Sequence, residues 1–207
     1  MGSFFVILGV SKIYLMQLRP HQEKAIQAMS RHDKGQVIVP TGGGKTICMI
    51  HDAIEQFKSD RLKTIVVVAP RILLANQLCE EFLEFIDDVD VLHVHSGETH
   101  HDSTTNSKVI EEWYWASKKH QLTFTTYHSL HKIQDATAML PDTVYFDEAH
   151  NAVQKNFIEA VEHHSMYVVR NFFFTATPKH SFTPFKTGMN DTDIFGGVIC
   201  NVGAPKL

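Results

Sequence analysis

The sequence is short of everything that would make it other than an ordinary globular domain. Its 207 residues hold only three cysteines, Cys48, Cys79 and Cys200, and no C-x-x-C pair. So few and so scattered, they exclude a secreted disulfide scaffold and a zinc ribbon. Positive charge is scarce as well: 19 Lys and Arg stand against 23 Asp and Glu, a formal charge of -4. Such a chain does not coat nucleic acid by bulk attraction, so any contact with a polyanion must be built from placed residues. The longest apolar run, residues 4–10 (FFVILGV), is broken by Ser11-Lys12. It falls well below the roughly 20 residues of a membrane-spanning helix. No positive residue precedes it and no small-residue cleavage site follows, which argues against a secretory leader. It reads as a strand or an N-terminal extension over residues 1–17, and an intracellular location, cytoplasmic or nuclear and away from the membrane, is expected. Repeats and low-complexity tracts are absent too.

What remains is a hydrophobic content of 43%, enough for one domain with a core that needs no covalent staple. From residue 36 onward, short β-branched runs alternate with segments of helical period. Strands are expected at 36–39, 64–69, 91–95, 122–125, 143–146 and 167–174. Between them Ile47, Ile50, Ile54 and Phe57 form one apolar stripe, and Leu74, Leu78, Phe82 and Phe85 another. Val153, Phe157 and Val161 suggest a third helix, and Leu18-Arg19-Pro20 opens an earlier one through Ala25, Ile26 and Met29. Residues 97–107, rich in polar side chains, read as an exposed loop before a helix carrying Trp113 and Trp115. The alternation predicts an α/β fold, a doubly wound and mainly parallel sheet flanked by helices.

After the first expected strand comes Pro40-Thr41-Gly42-Gly43-Gly44-Lys45-Thr46, then an amphipathic helix. Glycines let such a loop curl so that its N–H groups face phosphate oxygens, and the helix start adds about half a positive charge. Lys45 supplies a full charge and Thr46 a hydroxyl suited to Mg²⁺. The general pattern G-x-x-x-x-G-K-[ST] has glycine where this chain has Val39. The strand 143–146 ends in Asp147-Glu148-Ala149-His150, which puts two carboxylates at the edge where open α/β sheets bind ligands. Adjacent carboxylates there divide into a metal holder, Asp147, and a base for an attacking water, Glu148.

These segments resemble the first, RecA-like motor domain of superfamily 2 helicases and translocases. Pro40 to Thr46 is similar to their motif I, Asp147 to His150 to a DEAH-type motif II, and Thr175-Ala176-Thr177-Pro178 to motif III. Leu18-Arg19-Pro20-His21-Gln22 resembles the glutamine motif, Val68-Ala69-Pro70-Arg71 motif Ia, and Thr125 to Leu130 the following nucleic-acid motif. The details resemble the group that includes restriction-enzyme motor subunits and phage recombination helicases. The resemblance implies ATP and Mg²⁺ as ligands, Thr41 to Thr46 with Arg19, Gln22 and His150 around the nucleotide, and Thr46 and Asp147 at the metal. Lys45, Asp147 and Glu148 would act in hydrolysis, and Thr175 and Thr177 would couple nucleotide state to the track. Pro70, Arg71, Thr126 and Ser129 would touch a nucleic-acid backbone, double-stranded DNA in preference to RNA. Residues 18–190 would form this domain, and 191–207 the start of a connector to a second RecA-like domain not present in the sequence. The alternatives are a nucleotide-dependent binding module with little hydrolysis of its own, or an RNA helicase domain.

Fourteen histidines, including His93-x-His95, His100-His101 and His163-His164, carry no expected metal site, because no cysteine stands beside them in sequence. Apart from His150 they are expected at the surface.

Overall fold

The computed structural model describes residues 16–203. The apolar run 4–10 lies outside them. In chain order the first elements are α1 (Pro20–Arg31), β1 (Lys34–Ile38), α2 (Lys45–Gln56), β2 (Thr64–Ala69), α3 (Ile72–Leu83), β3 (Val89–Val94) and the two-residue β4 (Asp102–Ser103). They are followed by α4 (Ser107–Ala116), β5 (His120–Thr126), α5 (Leu130–Asp135), β6 (Thr143–Phe146) and a 3₁₀ turn (Ala149–Asn151). The last are α6 (Ile158–Tyr167), β7 (Arg170–Thr175), α7 (Thr192–Phe195) and β8 (Val198–Asn201). The eight strands make one sheet in the order β4-β3-β5-β2-β6-β7-β1-β8, every pairing parallel. No described helix is long and apolar enough to cross a membrane.

A strand buried on both faces reads as a continuous apolar run, and Ile65 to Ala69 and Phe172 to Phe174 show why. Alternate residues serve different cores. Ile65, Val67, Tyr145, Phe172 and Phe174 meet α1, α2 and α3 on one face. Val66, Val68, Val144, Phe146 and Phe173 meet α4, α5, α6 and α7 on the other. Helices on both faces of a parallel sheet are the doubly wound arrangement that the alternating pattern predicts.

Several boundaries differ from the expected ones: β1, β3 and β5 are shifted or extended by one or two residues, β4 lies within the expected loop 97–107, and other differences are larger. The run at 167–174 begins as a strand only at Arg170, since Tyr167 closes α6 and is exposed. Val168 and Val169 have strand-like side chains, but pairing starts where Arg170 meets Thr143 and Asn171 meets Lys34. Val153 and Phe157 precede α6 rather than sharing it with Val161, because a 3₁₀ turn and further turns follow β6 before the helix can start. Residues 191–207 are read as a connector; the described part of them, 191–203, supplies α7 and β8, and β8 extends the sheet beside β1.

The histidines also depart from expectation. His93, His95 and His164 are buried, not superficial, since β3 and α6 turn these positions inward. His164 accommodates this by contact of Nδ1 with the Ala160 carbonyl at 2.7 Å, and burial lowers its pKa to about 4.

A largely buried ion pair joins one helix layer to the foot of the sheet. Arg170 donates to the two Asp52 oxygens at 2.7 and 2.8 Å and to the Met29 carbonyl at 3.1 Å. The Tyr145 hydroxyl and Gln56, at 2.9 Å, also donate to Asp52. One carboxylate thereby links α1 and α2 to β6 and β7. Asp52→Ala leaves the Arg170 charge uncompensated, and we expect a loss of about 3–5 kcal/mol in urea unfolding. His164 binds its proton in the unfolded chain near pH 6.5 but in the folded one only near 4. Stability from this group is therefore complete above pH 6.5 and falls toward pH 4, by up to about 1.4 kcal/mol per pH unit. His164→Leu is expected to reduce the fall of the unfolding midpoint across that window; buried His93, its pKa also lowered to about 4, contributes to the fall in the same way.

Candidate functional site

A parallel sheet puts the C-terminal ends of its strands on one rim. Here β1 runs into the glycine loop, β2 into Pro70-Arg71, β6 into Asp147-Glu148, while β5 and β7 end at Thr126 and Thr175. Because β7 lies between β6 and β1, Thr175 stands between the carboxylate pair and the loop. Its carbonyl accepts from Val39 N–H at 3.0 Å. Its hydroxyl lies 2.9 Å from His150 Nδ1 and accepts from Thr177 N–H at 3.1 Å. One buried threonine thus touches both neighbouring segments.

The loop needs its glycines for two separate reasons. Gly42 and Gly44 have φ of +76° and +77°, a region that side chains with Cβ rarely enter. Gly43 needs space instead: a Cβ there would fall 2.5 Å from Val39 Cγ1 and 2.8 Å from the Pro40 carbonyl. Val39, the departure from the general pattern, is buried and forms the floor beneath Gly43. Gly44 then begins α2 with no side-chain cap, so the helix presents its first N–H groups at the loop.

The start of α1 braces the loop from the side. Gln22 is buried, its Oε1 accepting from Arg19 N–H at 2.9 Å and its Nε2 reaching the Gly44 carbonyl at 3.4 Å. Arg19 donates to the Gly42 carbonyl at 3.2 Å, and His21 Nε2 lies 2.6 Å from the Gly43 carbonyl. Sequence reasoning passed over His21 because its role depends on a contact 22 residues away.

Lys45 connects loop and carboxylates. Its ammonium donates to Glu148 Oε1 and lies 3.6 Å from Asp147 Oδ1. Burial pushes the Asp147 carboxyl up; Lys45 opposes part of that rise and Glu148 adds to it. Glu148 sits at φ +46°, outside the region natural to a non-glycine residue, at a cost of about 1–3 kcal/mol. The strain is held by neighbours that sequence reasoning missed. Asn151 donates through its backbone and side chain to the Glu148 carbonyl, at 3.0 and 2.9 Å. The Tyr127 hydroxyl donates to the Asp147 carbonyl at 2.7 Å, and its burial keeps that proton in place. His150 Nδ1 also stands 3.5 Å from Glu148 Oε2.

Thr46 and Asp147 offer the hard oxygen donors that Mg²⁺ takes, and the glycine loop has no side chain to fill the cradle beside them. The Thr46 hydroxyl bonds Glu81 on α3, a third carboxylate at this rim. Burial raises the Glu81 carboxyl, Thr46 lowers it in part, and Glu84 and Asp147 add to the rise. Thr41 and Thr177 are exposed. Of the four residues assigned to a nucleic-acid backbone, Arg71 is exposed at the start of α3 and Pro70 half-buried. Thr126 and Ser129 are buried, the Thr126 hydroxyl accepting from Ser129 N–H at 3.3 Å, so both serve the turn into α5.

Comparison with known proteins agrees with this arrangement. Residues 15–180 match the family described as type III restriction enzyme, res subunit. No curated protein sequence matches the chain. Among solved structures, a nuclease-deletion mutant of the type ISP restriction-modification enzyme LlaGI, in complex with a DNA substrate mimic, is similar with a TM-score of 0.74 at 22% identity. The alignment covers 91% of this chain and 20% of that one. The ATP-dependent type ISP enzyme LlaBIII bound to DNA gives 0.74 at 23%, over 91% and 15% of the two chains. The UvsW helicase from bacteriophage T4 gives 0.62 at 15%, over 88% and 60%. The chain therefore spans a fifth or less of the length of the type ISP enzymes it matches. With its family match covering most of the sequence, its eight parallel strands and its gathered rim, the chain belongs to the type III restriction enzyme res subunit family and forms a superfamily 2 RecA-like motor domain.

Proposed function

We propose that this domain binds ATP at the rim and hydrolyses its β–γ bond, as one motor half of a DNA translocase or helicase. The observation that carries this reading is Lys45 at the start of α2, held between the glycine loop and both carboxylates. The loop N–H groups and Lys45 bind the phosphates, and Gln22 and Arg19 hold the loop in shape from α1. Thr46 and Asp147 would hold Mg²⁺, which when bound would supply charge neutralisation for the phosphates. Glu148 takes the proton from the attacking water, its strained backbone aiming the carboxylate into the cleft. His150 and Thr175 carry the state of the carboxylate pair toward Thr177. We further propose that a second RecA-like domain supplies the opposite wall of the cleft, so that hydrolysis is weak wherever that domain is lacking. Missing trans-acting arginines are worth about 10³–10⁵ in nucleotide hydrolases.

A DNA track is favoured by the DNA-bound state of the two type ISP relatives and by the exposed Arg71 at a helix start on the same rim. RNA is the second reading, since a hypothetical ATP-dependent RNA helicase from Sulfolobus tokodaii is also similar, with a TM-score of 0.59.

In single-turnover hydrolysis, Lys45→Ala is expected to abolish activity and Glu148→Gln to lower it by about 10²–10⁴. A binding module without hydrolysis would show equal background rates in all three proteins. In the same assay duplex DNA should raise the wild-type rate more than duplex RNA, and Arg71→Ala should reduce that gain without changing the DNA-independent rate.

A further inference from the structure

A second cluster of chemically capable side chains lies away from the rim residues just described. It joins α3, β3 and the loop after β3. Cys79, His93 and His101 each direct one metal-ligating atom to a common point, all three atoms within 4.8 Å of one another. The fold alone makes this cluster, since Cys79 is fourteen residues from His93 and on a different element. Cys79 and His93 are fully buried, whereas His101 is exposed on the loop that returns to β4. The rings of His93 and His101 stack with centroids 5.6 Å apart and planes inclined by 11°.

An independent observation points to a ligand. His93 Nε2 is buried without any hydrogen-bond partner, and so is Asn76 Oδ1, which lines the same cleft. A buried polar atom without a partner costs about 1–3 kcal/mol, and two at one cleft need a reason. The other nitrogen of His93 is engaged: Nδ1 lies 3.1 Å from His95 Nε2, and His95 Nδ1 in turn accepts from Gly97 N–H at 3.1 Å. Metal-binding imidazoles commonly have their other ring nitrogen held by a hydrogen bond, usually to a carboxylate, carbonyl or water; here His95 fills that place.

We propose that Cys79, His93 and His101 form a binding site for a soft divalent cation, zinc above all, which ties the loop at 96–105 to α3. One thiolate and two imidazoles are a donor set that favours zinc over magnesium, with water in the remaining position. Tetrahedral zinc, with bonds of about 2.0–2.3 Å, needs its donors roughly 3.3–3.7 Å apart. The cluster must close by about 1 Å, and the exposed loop bearing His101 can supply that movement. Protons balance as follows. In the arrangement described, His95 accepts from Gly97 and so carries its proton on Nε2, which leaves the His93 proton on Nε2. On binding, zinc takes His93 Nε2, the proton shared with His95 passes to His93 Nδ1, and the displaced proton is taken up at His95 Nδ1. Gly97 N–H then turns from His95 to solvent. The Cys79 thiol proton is released to solvent. Zinc binding and the conformation of this loop are thereby linked, at the flank of the helix whose first turn follows Arg71.

The test is titration of the metal-free 207-residue chain with Zn²⁺ by calorimetry and with Co²⁺ by absorption, in wild type, Cys79→Ser, Cys48→Ser and His101→Ala. The expected result is one equivalent of tightly bound zinc and a thiolate-to-cobalt charge-transfer band. That band is lost in Cys79→Ser and retained in Cys48→Ser, and zinc affinity drops at least tenfold in His101→Ala. His101 is exposed, so its variant reports even if Cys79→Ser does not fold. Absence of the band, its survival in Cys79→Ser, or unchanged zinc affinity in His101→Ala would overturn the proposal. Because the readouts are binding and absorption, the test is independent of ATP hydrolysis.

Discussion

Every strand of the sheet runs the same way, and the rest of the molecule follows from that constraint. Parallel strands can be joined only by crossovers, which places helices on both faces and buries the strands on both sides. All strand ends of one polarity then share a rim. The order within the sheet does the finer work. With β7 between β6 and β1, Thr175 at the end of β7 touches both the strand that leads into the glycine loop and the segment that follows the carboxylate pair. At the foot of the same strands, the Asp52–Arg170 pair ties β7 to α2, the helix that starts at the loop. The two ends of the domain are therefore mechanically related through β7 and α2.

The rim is an electrostatic compromise. Asp147 and Glu148 meet one ammonium where burial raises the Asp147 carboxyl and Lys45 opposes part of that rise. Lys45 keeps the charged form accessible, and in the proposed reaction it must loosen from Glu148 to receive phosphate. Glu148 is then left with the strained backbone and the hydrogen bonds from Asn151, a geometry already set before any substrate arrives. His150 lies within reach of both Glu148 and Thr175, so in the proposed reaction it would give the rearrangement a route out of the cleft.

Much of this was legible in sequence because each motif is local. A strand, three glycines, Lys45 and Thr46 follow one another directly, as do the strand 143–146 and Asp147-Glu148. A parallel sheet guarantees that such strand ends meet. What sequence concealed were contacts between distant segments. Nothing near Gln22 announces that its amide will lie against Gly44, and nothing near Asp52 announces Arg170. Val168 and Val169 imitate a strand until pairing partners are considered, and Val153 fits a helical stripe although the turns after β6 delay the helix. The histidines were misplaced for a related reason: His93 on β3 and His95 just after it look like surface polar residues unless the α3 residues and Phe124 that pack beside His93 are known. The same ignorance hid Cys79 from His93.

The central claim is that the phosphates of ATP take the place at Lys45 now held by Glu148. Calorimetric titration of Mg²⁺ with a non-hydrolysable ATP analogue tests it most directly, in wild type, Glu148→Gln and Lys45→Ala. The account predicts that Glu148→Gln binds at least as tightly as wild type, because a competing carboxylate has gone, and that Lys45→Ala binds far more weakly. Loss of binding in Glu148→Gln together with unchanged binding in Lys45→Ala would contradict it.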